Sequence, residues 1–148
     1  MYVVVFDEGF RPTSNIGIRF LISFCLFLIL DATWLLCMSK YIYKQFLDER
    51  LEKIPFKVGV FMECLYVLIS ALFISILLYF ESYSSAILFG CCIGFLIYAT
   101  FNITTLVITP SWGQTLPYTW KVPIIDTLWG MFLWSVVCVF IFLYDEKY

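Results

Sequence analysis

Four long apolar runs constrain this chain more than any other feature of its sequence. Each is long enough to cross the hydrocarbon of a bilayer, which takes about 20 helical residues. They are continuous, whereas strands of a membrane barrel are about 10 residues long and alternate in polarity. The sequence therefore predicts an all-α fold, an integral membrane four-helix bundle over residues 20–144, with tails at 1–19 and 145–148. The runs themselves occupy residues 20–39, 58–80, 85–108 and 122–144.

A cleaved signal peptide is the alternative explanation of the first run. The leader before the run is long and carries Asp7 and Glu8. The run also exceeds a typical signal core and contains Asp31. We therefore expect the first run to be a membrane helix.

The distribution of Lys and Arg predicts the orientation of the bundle. Residues 40–57 and 109–121 carry six of these cations, and the opposite side carries three. We expect these two loops to face the cytoplasm and the termini to lie on the other side.

The spacing of apolar residues within 40–57 predicts a short amphipathic surface helix, with a solvated charged loop as an equal alternative. Aromatic residues in 109–121 predict an interfacial anchor, and these are Trp112, Tyr118 and Trp120.

Composition excludes several classes of function. The absence of histidine removes Ser-His and Cys-His nucleophile pairs and His-ligated zinc or haem. Nine scattered cations on a chain of net charge −2 exclude a basic nucleic-acid surface. All six cysteines fall in the apolar runs, where we expect them to pack as small hydrophobic residues; palmitoylation is the alternative for Cys37 and Cys64, near run ends. We expect no metal, no cofactor and no nucleic acid, and a lipid bilayer as the environment.

Three acids and one amide lie inside the runs, one on each helix. With a helical rise of about 1.5 Å per residue, their depths can be counted from the side that carries residues 40–57 and 109–121. Asp31 lies roughly 13 Å deep, Glu63 roughly 9 Å, Asn102 roughly 12 Å and Asp126 roughly 7 Å. We call these four residues the polar layer. A carboxylate in hydrocarbon costs about 2.5–3.5 kcal/mol, so we expect the layer to face the bundle interior.

The third run carries a ridge of small residues that leads into the polar layer. Its members recur at every fourth position: Ala86, Gly90, Gly94, Tyr98 and Asn102. Gly90 and Gly94 form a G-x-x-x-G match, which lets a neighbouring backbone approach closely. That neighbour is either another helix of this chain or a second copy, so the Gly90/Gly94 face is a candidate homo-oligomer contact.

Two runs share an Asp-x-x-Trp pattern, at Asp31 with Trp34 and at Asp126 with Trp129. Residues three apart on a helix share a face. An indole N–H is a donor, so each tryptophan is suited to satisfy a carboxylate on a neighbouring helix.

Structural explanations compete for each member of the polar layer. Asp126 follows Pro123 and would complement a helix N-terminus. Glu63 is shallow enough to pair with Lys57 or Lys121, and Asn102 is suited to join helices. Asp31 is the deepest acid, and we expect it to have a function or to belong to an obligatory hydrogen-bond network.

These motifs together resemble the predicted membrane proteins grouped as domain-of-unknown-function family 2177. The resemblance covers nearly the whole chain and implies a four-helix membrane fold, as found in bacterial and large-DNA-virus members, but it carries no activity. Where the family pattern has an acid, this chain has the amide Asn102, which cannot exchange protons. The residues that carry the resemblance are Asp31, Trp34, Gly90, Gly94, Tyr98, Asn102, Thr105, Asp126, Trp129 and Gly130.

Three functions remain open for such a chain. The first is a small transporter, channel or solute-binding protein that uses the polar layer. The second is a structural component of a cell envelope or of a virion inner membrane, in which the layer only joins helices. The third is an enzyme on a lipid-soluble substrate, with Asp31 or Asp126 as the acid–base group.

Overall fold

The part of the chain that the structure describes forms four long helices. The computed structural model describes residues 15–38, 56–108 and 121–147. Each helix is long and apolar enough to cross a membrane, which confirms the predicted all-α membrane bundle. The helices are α1 (Ile16–Met38), α2 (Phe56–Leu77), α3 (Tyr83–Ile108) and α4 (Lys121–Lys147).

The helices α1 and α3 begin at residues with capping side chains, and these positions differ from the ends of the apolar runs. Asn15 caps α1, because its side-chain oxygen accepts a hydrogen bond from the Gly17 N–H at 2.8 Å. Ser82 caps α3 by accepting from the Ser85 N–H at 3.2 Å, and the Ser85 hydroxyl oxygen accepts from the Ser82 N–H at 3.1 Å. The helix α1 therefore begins before residue 20, and it includes Arg19.

Successive helices run antiparallel, and one pair is packed more closely than the others. The most extensive contact joins α3 and α4, while α1 packs against both α2 and α4. The centre of the bundle contains Phe27, Trp134 and Leu133, each at most 1% exposed. Large apolar side chains such as Leu36 (75% exposed) and Phe101 (66% exposed) cover the outside. This distribution suits a protein surrounded by lipid.

Several sequence predictions fall outside the described residues. They are the surface helix expected within 40–57, the aromatic anchor expected within 109–121, and most of the tail at 1–19.

Within the described part, the cysteines form no disulfide. Cys138 is buried and Cys91 is half-buried, but the other four cysteines are exposed on the outer surface rather than packed in the core. Lipid tails are as apolar as a protein core, so either position suits a cysteine.

Candidate functional site

Asp31 lies in the interior of the bundle and is only 4% exposed. Its carboxylate accepts a hydrogen bond from the Trp129 indole N–H of α4, with Nε1 at 3.0 Å from Oδ1. The hydroxyl of Tyr98 on α3 donates to the same group, at 3.3 Å from Oδ2. Two other helices thus direct donors at this acid, which offsets part of the cost of its burial.

Glu63 on α2 is a neighbour of Asp31, and the two carboxyl groups interact. We call Asp31 and Glu63 the acid pair. Ionised carboxylates only accept hydrogen bonds, so a bond between two acids requires a proton on one of them. The Oε1 atom of Glu63 is buried and receives no hydrogen bond from the described residues.

A line of hydroxyl groups leads from the bundle centre to the acid pair. The Trp134 indole N–H donates to the Tyr66 hydroxyl at 3.0 Å. Tyr66 donates to Tyr98 at 3.3 Å, and Tyr98 donates to Asp31. Tyr66 was not among the residues that the sequence motifs indicated. It lies three residues after Glu63 on α2, so a shared helix face was the available signal.

Asp126 is the centre of a second hydrogen-bonded group on the other side of the same layer. Its Oδ1 accepts from the Trp34 indole N–H at 3.3 Å, and its Oδ2 accepts from the Asn102 amide at 3.1 Å. Asn102 also donates to the Pro123 carbonyl at 3.4 Å and to the Thr127 hydroxyl at 3.3 Å. Asn102 thus joins α3 to the first turns of α4.

The two groups are connected by a reciprocal arrangement of the Asp-x-x-Trp patterns. Trp34 of α1 donates to Asp126 of α4, and Trp129 of α4 donates to Asp31 of α1. The two indole rings stack, with centroids 4.5 Å apart and planes inclined by 2°. Each indole therefore satisfies the carboxylate of the opposite helix, as the pattern predicted.

The glycine ridge of α3 contacts α4 of the same chain. A β-carbon at Gly90 would overlap the backbone of Trp134 and Ser135, and one at Gly94 would overlap the backbone of Gly130 and Met131. Ala86 at the start of the ridge is fully buried. The Gly90/Gly94 face therefore packs against α4 within the chain.

Arg19 forms a separate polar centre at the opposite end of the bundle. It is fully buried, and its Nη2 donates to the carbonyls of Ile74, at 3.3 Å, and Leu78 at the end of α2. Its Nε lies 3.4 Å from Asp145 of α4, and its guanidinium lies over the Tyr79 ring, 4.1 Å from the centroid. One cation thereby connects α1, α2 and α4.

The limits of the first apolar run placed Arg19 outside the membrane helix, so this centre was not predicted. A signal was present, because the buried face of α1 recurs at every fourth residue. That face consists of Arg19, Ser23, Phe27 and Asp31. Phe27 lies between the two polar ends and packs edge-on against the Trp134 ring, with centroids 5.1 Å apart.

An apolar cleft opens on the outer surface between α3 and α4. Its volume is about 310 Å³, and Asn102 and Thr127 are its polar lining residues. It lies next to the polar layer without containing an acid. Hydrocarbon suits such a cleft better than an ion does.

The structure brings together the four members of the polar layer and three of their four supporting residues. Trp34, Tyr98 and Trp129 each donate to an acid of the layer. The side chain of Thr105 lies outside the part of the chain that the structure describes. Across residues 15–38, 56–108 and 121–147, no three acidic or cysteine side chains converge into a group able to hold a metal ion.

Four apolar helices around a buried acid network define a multi-pass integral membrane protein. Comparison with curated proteins and with solved structures gives no match. A family model does match, over residues 16–143, and its description is "Predicted membrane protein (DUF2177)". The chain belongs to this family, as its motifs indicated.

Proposed function

We propose that this chain is a small transporter or solute-binding protein in which the acid pair holds an exchangeable proton. The observation that carries the proposal is that the buried carboxyl group of Asp31 and the buried Oε1 of Glu63 belong to neighbouring, interacting acids. Two carboxyl groups sharing one site cannot both ionise without strong repulsion. A proton retained between them is the simplest neutralising partner, because the described donors from α3 and α4, Tyr98 and Trp129, are neutral groups.

The contrast with Asp126 supports this assignment. Asp126 lies in the same layer but receives donors from Trp34 and Asn102, and an amide or indole cannot release its proton at physiological pH. Asp126 is thus held by fixed donors, whereas the acid pair contains its own exchangeable hydrogen. This difference makes Asp126 a matched control for experiments on the pair.

The proposal includes an orientation. With residues 40–57 and 109–121 on the cytoplasmic side, the acid pair would lie in the cytoplasmic half of the membrane. The Arg19 centre would then lie toward the opposite face. Accessibility labelling tests this orientation, with single cysteines introduced at Lys44 and at Arg11 in a variant whose six native cysteines are replaced by alanine or serine.

Proton flux into proteoliposomes tests the proposed function. The full-length protein is reconstituted with an internal pH dye, and a potassium gradient with valinomycin supplies the driving potential. We expect the wild type to acidify the lumen, and Asp31→Asn and Glu63→Gln to lose most of this flux. Asp126→Asn, which keeps the pair, should retain it. Equal flux in wild type, Asp31→Asn and protein-free vesicles would contradict the proposal.

A structural membrane component is the second candidate. The reciprocal contacts of Trp34 with Asp126 and of Trp129 with Asp31 favour it, because they join α1 to α4 with all their donors used locally. In that case Asp31→Asn and Asp126→Asn would both lower the unfolding temperature, and neither would affect a proton flux. The two candidates therefore differ in the flux measurement on the same variants.

A further inference from the structure

We infer that Glu63 carries the proton of the acid pair and that Asp31 carries its negative charge. The inference rests on the proposed proton site and assigns a separate role to each of its members. Glu63 is then the exchanging residue, and Asp31 is the anion that holds the proton in place.

The first support is the unequal supply of donors to the two acids. Asp31 accepts from the Trp129 indole and from the Tyr98 hydroxyl, at 3.0 and 3.3 Å. On Glu63, the buried Oε1 receives no donor from the described residues. Hydrogen bonds to the charged form favour ionisation, and a buried carboxylate without donors is costly. The negative charge is therefore more stable on Asp31.

The second support is the direction of the hydroxyl line. An indole N–H donates and cannot accept, so Trp134 fixes the hydroxyl oxygen of Tyr66 as an acceptor. Tyr66 then donates to Tyr98, which donates to Asp31. The line ends on Asp31 as its final acceptor, which suits an ionised carboxylate. Glu63 does not belong to this line of hydroxyl groups. When it is protonated, it is a third donor to Asp31, after Trp129 and Tyr98.

The other charged and titratable groups around the pair lie on several helices. From α3 the pair faces the hydroxyl of Tyr98, and from α4 the negative charge of Asp126 repels a charge on Asp31, so the two donors of Asp31 have to outweigh this repulsion. On α2 itself, Lys57 lies two turns before Glu63, roughly 9 Å nearer the interface. The cation Arg19 is committed to the opposite end of the bundle.

Infrared spectroscopy with isotope labels tests the assignment without any mutation. A protonated carboxyl group in an apolar site gives a C=O stretching band that shifts in D₂O, and ionised acids do not give this band. In reconstituted full-length protein, we expect side-chain ¹³C-glutamate to shift the band to lower frequency. Side-chain ¹³C-aspartate should leave it in place. A shift with aspartate and not with glutamate would overturn the assignment while leaving the proton site intact.

Variants give a second and independent measurement. The band should disappear in Glu63→Gln and persist in Asp126→Asn, the matched control. In Asp31→Asn it should persist at a higher frequency, because the acceptor is weaker. Loss in Asp31→Asn together with persistence in Glu63→Gln would refute the separate roles of the two acids. Absence of any such band in the wild type would refute the proposed proton site itself, so the two failures are distinguishable.

Discussion

Alanine at Gly94 should destabilise the bundle, because this position lies where α3 meets the backbone of α4. A β-carbon there would lie 2.7 Å from the Cα of Met131 and closer still to the Gly130 carbonyl. Ordinary carbon contacts are about 3.5–4.0 Å, so the helices must separate by about 1 Å. Overpacking of this kind costs about 1–3 kcal/mol.

The net change in the free energy of unfolding of Gly94→Ala combines the overpacking cost with a smaller gain in helix propensity. Backbone atoms cannot rotate away, so the cost at Gly94 should approach the upper end of that range. The better helix propensity of alanine returns about 0.5–1 kcal/mol. We therefore expect Gly94→Ala to lower the free energy of unfolding by about 2 kcal/mol.

Reversible unfolding in mixed micelles, followed by far-ultraviolet circular dichroism, measures this change. Gly59→Ala is the matched control, because nothing lies within 4 Å of its β-carbon position. It should be neutral or more stable than the wild type by up to about 1 kcal/mol. An equal gain in stability in both variants would refute the backbone contact between α3 and α4.

Three further substitutions have outcomes set by single contacts. Arg19→Lys keeps the charge but loses the planar guanidinium, whose Nη2 donates to two carbonyls while its Nε lies near Asp145. We therefore expect a lower thermal unfolding temperature, and an unchanged one would contradict the role of Arg19 as a connector of helices. Trp129→Phe removes the donor to Asp31 but keeps an aromatic ring, and should cost about 1 kcal/mol of unfolding free energy in the same micelle assay. Asn102→Asp replaces the amide donor to Asp126 by a second carboxylate. It should destabilise the protein more at pH 8 than at pH 5, where added protons relieve the repulsion; an equal loss at both pH values would count against direct contact.

The common level of the polar layer along the bundle could be predicted from the sequence, but the contacts between its members could not. Helical rise converts residue number into depth, which is why Asp31, Glu63, Asn102 and Asp126 were expected at one level. Rotation about each helix axis and the order of helices around the bundle depend on packing. That Glu63 faces Asp31, while Asn102 faces Asp126, emerges only from the structure.

Arg19 shows a different limit. A cation next to an apolar run is normally assigned to the interface, since burial of an unpaired charge is costly. Here the partners are distant in the chain: the carbonyls that end α2, and Asp145 near the end of α4. No local pattern reveals these contacts. The capping of α1 by Asn15, in contrast, is a local signal that the sequence does carry.

The glycine ridge divides the described helices into two pairs. Because the backbones of α3 and α4 touch at Gly90 and Gly94, these two helices share the most extensive contact among the described elements. The acid pair lies on α1 and α2, while its donors Tyr98 and Trp129 lie on α3 and α4. A change in the charge of the acid pair would therefore act across the interface between the two helix pairs.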